Sequence, residues 1–331
     1  MRRERIDIVK QPIPLIFATF GLLLALHTYR AVTAPLPCET TAGALSPVGM
    51  WIDSLLGTVG SVAMSVVLAI ATAVVLTRII SRYSVSVIRS FLPLVLYAIL
   101  VGTLCLPVTS PSVMLATFLL AHSAEMMIVS FKRCTRFDDV MCASFYAGLA
   151  ALLVPDMLYA SLLVVFQWAI YRRSTREMVA GAILFLLPLL PASFCFWVAG
   201  HEAVWLLHEW CNTLSGFNVP SLAELYDACG GLWGAIVGGA ILLMAVASMV
   251  TLFGSFGTMR IRARKIHACF LMTFFVGAAM LACGMPLVAT LPVIGIGLTP
   301  LVHTFFVRCS GVTGTIIYLA LLVASACCAL L

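Results

Sequence analysis

The run Pro111-Ser-Val-Met-Leu-Ala-Thr-Phe-Leu-Leu-Ala-His122-Ser-Ala-Glu125-Met-Met-Ile-Val-Ser-Phe-Lys132-Arg133 decides how this chain is read. Between its proline and its closing basic pair lie about 20 mostly apolar residues, the length of an α-helix that crosses ~30 Å of hydrocarbon. A basic segment at 132–139 follows, then a hydrophobic hairpin, then Arg172-Arg173-Ser-Thr-Arg176-Glu177, then an apolar run carrying Pro188 and Pro191. Charge held in short clusters between long apolar runs belongs in lipid. Backbone there must pair within its own segment, and the alternating pattern of a barrel is absent, so each run is expected to be helical.

The remainder of the chain repeats the pattern. Of 331 residues 63% are hydrophobic and 10% charged, with a mean hydropathy of +1.12, whereas soluble domains carry about a quarter charged residues. Apolar runs fall at 12–27, 54–77, 90–108, 112–131, 140–155, 158–171, 179–199, 232–253, 268–283, 286–306 and 311–331. The expectation is an all-α polytopic transmembrane helix bundle of about eleven spans, one membrane domain over 1–331. The fifth and sixth runs are short and meet at Pro155-Asp156 as a tight hairpin. The opening run follows Arg2, Arg3, Arg5 and Lys10 and ends near Ala31-Val-Thr-Ala34, which resembles a signal-peptide cleavage site. Pro35 opposes cleavage, and the run is read as a retained span.

Charge fixes the orientation. With the N-terminus cytoplasmic, every Lys and Arg except Arg30 falls on inner segments: Arg78, Arg82 and Arg89; Lys132, Arg133 and Arg136; Arg172, Arg173 and Arg176; Arg260, Arg262, Arg264 and Lys265; and Arg308. The C-terminus is then periplasmic. Acids take the other side, with Glu39, Asp53, Asp156, Glu202, Glu209, Glu224 and Asp227 outside, and Trp51, Trp197, Trp205, Trp210 and Trp233 near the outer interface. The net charge of +6 therefore reflects topology rather than nucleic acid. The expected location is the bacterial inner membrane. Two periplasmic loops, 30–53 and 200–231, are long enough to hold structure. In the second, 202–210 reads as an interfacial helix with Val204, Trp205, Leu206 and Leu207 on its apolar side.

Several constellations bear on function. His122 and Glu125, three residues apart, share a helix face, and Glu125 lies ~10 Å from the basic end of its span. An acid at that depth must be neutral, paired or facing water. It is either a proton or substrate site, or a strut of the bundle reaching Lys132 or Arg133. Glu39 and Asp53 are the single carboxylates available as catalytic candidates over the outer leaflet. His201-Glu202 and His208-Glu209 repeat a His-Glu pair, but a seven-residue spacing is too long for one Zn²⁺, and no metal or other cofactor is expected. Cys211 and Cys229 share an outer loop and are candidates for a disulfide. Gly230, Gly234 and Gly238 form a small-residue stripe for helix packing, within the monomer or between copies. The tenth run, with Pro286, Pro292, Gly295, Gly297 and Pro300, and the seventh, with Pro188 and Pro191, read as broken helices of the kind that line transporter sites. Arg172, Arg173, Arg176, Arg260, Arg262, Arg264 and Lys265 are placed to meet anionic lipid head groups. Walker A, GxSxG, CxxC and Rossmann glycine patterns are absent from the sequence.

Phe137 and Phe145 ahead of Gly148-Leu-Ala-Ala-Leu-Leu-Val-Pro155, then Arg172-Arg173, Arg176-Glu177 and Leu187-Pro188 with Pro191, form an ordered set. It continues with Arg264-Lys265, the stretch from Pro292 to Leu301, and Arg308. In this order the chain resembles an uncharacterised family of multi-spanning inner-membrane proteins of Bacteroidota-type Gram-negative bacteria, a family that brings no established activity. The Gly-Leu-Ala segment with its hairpin and basic turn is more distantly similar to polytopic glycosyltransferases that use polyprenyl-phosphate sugars. The adjacent acidic pair that such enzymes carry in the first outer loop is missing here. The expectation is an integral inner-membrane protein of unknown molecular role in envelope biogenesis or membrane assembly, with the lipid bilayer, anionic lipids and a second copy or another membrane protein as partners. A lipid-linked glycosyltransferase-like enzyme and a small-molecule or proton-coupled transporter stand as alternatives.

Overall fold

A computed structural model describes residues 13–33, 45–83, 90–104, 110–133, 137–202, 204–215, 232–309 and 311–330. They form thirteen helices. These are α1 (Ile13–Thr33), α2 (Pro47–Arg82), α3 (Leu92–Leu104), α4 (Pro111–Arg133), α5 (Phe137–Leu153), α6 (Met157–Tyr171), α7 (Thr175–Leu186), α8 (Leu189–Val198), α9 (Trp205–Ser215), α10 (Leu232–Ser255), α11 (Ile261–Ala282), α12 (Leu287–Arg308) and α13 (Val312–Leu330). No strand occurs among the described residues. Seven segments are long and apolar enough to cross a membrane: α1, α4, α10, α11 and α12, the later part of α2, and α7 taken with α8. Shorter apolar helices lie at Leu92–Gly102, Met157–Tyr171 and Val312–Cys328. This is the make-up of a multi-pass membrane protein. The outward residues agree, because Leu242, Leu243, Val246, Val250 and Phe253 on α10 and Ile316, Leu319 and Val323 on α13 are all exposed. In water such faces drive aggregation; in lipid they are the contact with solvent.

The helix α12 sits at the centre, walled by α11, α3, α10 and α4, while α4 also packs on α2 and α5, and α5 on α7. Two of these contacts bring backbones together where only glycine fits. A Cβ on Gly297 of α12 would stand 2.4 Å from the Phe274 amide nitrogen of α11, and one on Gly148 of α5 would stand 2.1 Å from the Phe185 carbonyl oxygen of α7. Without a hydrophobic force between helices in lipid, such close packing supplies much of the cohesion.

Four expectations need correction. The second helical segment begins at Pro47, not near residue 54, with the Ser46 hydroxyl accepting from the Gly49 N–H (3.2 Å) and a kink at Gly57 (φ 61°, ψ 175°). With α1 running to Thr33 and α2 starting at Pro47, the first connection is shorter than the 30–53 expected. The tenth run is one continuous helix with Pro292 and Pro300 inside it, not a broken one. Each proline removes one amide donor, but a helix enclosed by neighbours tolerates that loss. The interfacial helix starts at Trp205 and reaches Ser215. Its inward side is Leu206 and Trp210, packed near Ala151, Leu152 and Leu189, while Val204 and Leu207 are exposed.

The seventh run is interrupted at Pro188, which separates α7 from α8, with Pro191 inside α8. The fifth and sixth runs form the expected hairpin, turning at 154–156, where Leu158 N–H donates to Pro155 O (2.8 Å). Of the glycine stripe, Gly230 lies outside the described residues, Gly234 is within α10, and Gly238 has open space where a Cβ would stand.

This contrast is testable by thermal unfolding of the purified protein in detergent. Gly297→Ala is expected to cost about 1–3 kcal/mol through overpacking at the α11–α12 contact. Gly238→Ala should stay within about 0.5 kcal/mol. Equal effects at the two sites would refute the packing described.

Candidate functional site

Glu125 projects from α4 toward α2 and is 2% exposed, although it lies within a membrane helix. Its partner among the described residues is Arg78; the side chains of Lys132 and Arg133, the cations the sequence suggested, lie outside the described residues. Arg78 Nε donates to Glu125 Oε1 (2.6 Å) and Arg78 Nη2 donates to Oε2, the two-pronged arrangement that the guanidinium edge and carboxylate share. The α2 helix continues through Arg78 to Arg82, so an arginine taken as the first residue beyond the span is one turn inside it. His122 Nδ1 stands 3.4 Å from Oε2 of Glu125, and its ring lies between Phe118 (centroids 6.1 Å apart, stacked) and Tyr146 of α5 (4.9 Å, edge-on). The cluster thus joins α2, α4 and α5. Within it Glu125 is enclosed, while the Arg78 side chain is 47% exposed.

At the opposite end of the same helices Asp53 has a defined partner. Ser112 N–H donates to Asp53 Oδ1 (3.1 Å), and the Ser112 hydroxyl lies 2.6 Å from that oxygen and 2.8 Å from Gly49 O. A carboxylate at the first turn of α4 satisfies an amide that the helix leaves free and faces the positive end of its dipole. The N-terminal end of α2 is also fixed to α5, through Ser46 N–H donating to Leu153 O (3.1 Å). Glu39, the other catalytic candidate, lies outside the described residues, as does Cys229, and Cys211 is exposed.

Arg30, in the last turn of α1, donates from Nη1 to Cys328 O at the end of α13, where cations complement helix carbonyls. One turn earlier, fully buried His27 meets Ser325 Oγ at 3.1 Å, with its ring against Gly102 of α3. In the sequence this link shows only as a histidine at the close of an apolar run.

The interior holds further polar groups. Ser123, Gln167 and Thr273, with Val293 and Ile296 of α12, line a cavity of about 10 Å³, about the space of one water. Gln167 is buried, and its Oε1 has no hydrogen-bond partner among the described residues. His267 Nε2 donates to Thr304 Oγ1 (3.0 Å), because the Thr304 hydroxyl proton is itself directed at Pro300 O (2.9 Å). At the hairpin turn, burial pushes the Asp156 carboxyl up to about 6.

The basic candidates are dispersed. Arg172 takes a left-handed conformation (φ 54°) between α6 and α7 and is exposed, as are Arg176, Arg260 and Arg262, while Arg264 and Lys265 are half-buried. Arg173 is mostly buried, with Nη1 3.8 Å from Glu177. His201 stacks on Trp205 (4.5 Å) and His208 is exposed. Among the described residues no group of three His, Cys, Asp or Glu is arranged to hold a metal ion.

No family model, curated protein or solved structure matches this chain.

Two measurements check this geometry. Arg78→Gln leaves the buried carboxylate without its clamp and should cost about 3 kcal/mol in detergent unfolding. Glu125→Gln should cost less, since the half-exposed Arg78 can turn outward, and the double variant should recover part of the Arg78→Gln loss. Additive losses would show that the two residues do not act as a pair. Asp156 has a raised folded-state pKa, so its contribution to stability is complete below about pH 4 and disappears as pH rises through about 6. Asp156→Asn should therefore raise the melting temperature at pH 7.5 and flatten its dependence between pH 4 and 7.

Proposed function

We propose that this chain is a protein of the bacterial inner membrane that crosses it about eleven times, N-terminus cytoplasmic and C-terminus periplasmic, and serves as a non-catalytic component of envelope or membrane assembly. The crossings are α1 to α6, α7 with α8, and α10 to α13, one each. The shorter α3 and α6 are accommodated by local thinning of the bilayer. The charge asymmetry of the connecting segments supports the orientation. The order of motifs from Phe137 to Arg308 supports membership of the uncharacterised Bacteroidota-type family that the sequence resembles.

One observation carries the functional reading. The acids that are the strongest candidates for chemistry among the described residues hold helices together: Asp53 is bonded to the first turn of α4 and Glu125 is clamped by Arg78. A carboxylate already bonded to a helix amide and a hydroxyl is poorly placed to act as a base or metal ligand. A glutamate in a two-pronged ion pair is likewise poorly placed to cycle protons.

The reading is tested by profiling lipid-linked sugars in a deletion strain beside strains carrying Asp53→Asn and Glu125→Gln, with membrane levels of each variant measured. The expected result is an unchanged profile in the deletion, with each variant lowering the amount of folded protein. Accumulation of a polyprenyl-phosphate sugar in the deletion and in an Asp53→Asn strain with normal protein levels would overturn it in favour of a glycosyltransferase-like enzyme.

A further inference from the structure

The last turn of α2 and the start of α3 enclose a depression of about 370 Å³ lined, among the described residues, by Ser81, Arg82, Ser90 and Phe91. Its walls differ in character. Arg82 is exposed and has no ion-pair partner among the described residues. It stands four residues after Arg78, so two guanidinium groups share one face of α2, an arrangement that is repulsive unless an anion lies nearby. Glu125 neutralises Arg78 and leaves Arg82 uncompensated. Ser90 is buried; its Oγ accepts from Leu92 N–H (3.0 Å), which leaves the hydroxyl proton as a donor. On the outward side the Phe91 ring lies 6.1 Å from that of Phe17 on α1, and both rings are exposed. Ser81 Oγ donates to Arg78 O (3.3 Å), so the depression combines a cation and the Ser90 hydroxyl donor with an aromatic lip that continues onto the apolar surface of α1.

We propose that this depression binds the phosphate of an anionic membrane phospholipid, with the phosphate on Arg82 and the Ser90 hydroxyl and an acyl chain along Phe91 and Phe17. The chemistry is selective for a lipid. A free phosphate has no use for the aromatic lip, and a zwitterionic head group would place its ammonium beside Arg82. The start of α3 adds a favourable dipole but few free amides, because Leu92 N–H is held by Ser90, residue 93 is proline, and Leu94 N–H bonds to Phe91 O (3.1 Å). Arg82 is thus the principal anchor. The inference requires helix ends at a bilayer surface and is independent of the assembly role.

The test uses the full-length protein, purified in detergent and stripped of lipid. Retention of phosphatidylglycerol against phosphatidylcholine is counted by native mass spectrometry, and thermal stability is followed with each lipid and with inorganic phosphate. The wild type should prefer phosphatidylglycerol and be stabilised by it. Arg82→Gln, an exposed change that leaves the fold intact, should weaken that preference about fivefold. Arg176→Gln, which removes the same charge at α7, should leave it unchanged. Phe91→Ala should reduce lipid retention while Arg82 remains. Wild-type retention in Arg82→Gln, or equal loss in Arg82→Gln and Arg176→Gln, would overturn the site. Protection by inorganic phosphate equal to that by phosphatidylglycerol would overturn its assignment to a lipid.

Discussion

The clamp of Arg78 on Glu125 shows the constraint under which the whole molecule is built. Inside a bilayer no water is at hand to solvate a charge or an amide, so each polar group must find its partner on another part of the chain. The pair meets this requirement by linking α2 to α4, and the same logic recurs at each level of the bundle. Asp53 holds the start of α4, Ser123 Oγ donates to Ala143 O of α5 (2.7 Å), Arg30 reaches the end of α13, and His267 meets Thr304 across α11 and α12. The polar residues are struts placed where helices cross. The apolar residues, which would form the core of a soluble protein, face outward as readily as inward.

This division explains why the fold was legible in the sequence and the site was not. Length and hydropathy set the helices, because an apolar run between basic clusters has only one stable conformation in lipid. They also set the Pro155-Asp156 hairpin and the interruption at Pro188. Partner choice depends on which helices become neighbours, and that information is absent from any local pattern. Glu125 was visible as an acid needing a partner, and the nearest cations along the chain were Lys132 and Arg133. The actual partner comes 47 residues earlier on another helix. Asp53 likewise drew notice as a lone carboxylate in an outer segment; only the approach of α2 to α4 shows that it caps a helix.

The glycines and prolines show the same limit more sharply. Gly230, Gly234 and Gly238 follow the four-residue spacing associated with close helix contact, yet Gly238 has open space around it. Gly297 and Gly148, which carry no comparable spacing signal, are the positions where backbones touch. Spacing states which residues share a face of a helix, not whether another helix lies against that face. Pro292 and Pro300 suggested a broken helix because proline removes a hydrogen bond. Enclosure of α12 by its neighbours makes the helical path the better one despite that loss.

A bundle held by polar struts has consequences for function. Residues that look reactive in sequence are under structural demand, so their substitution will reduce folded protein whether or not they take part in chemistry. The informative positions are charged groups without a strut to form. Arg82 is such a group: it lies one turn beyond the clamp and borders the depression between the end of α2 and the start of α3. Glu125 and Asp53 are held by partners within the bundle and Arg78 by Glu125, so a cation beside an apolar lip with no ion-pair partner among the described residues marks where the molecule meets something other than itself.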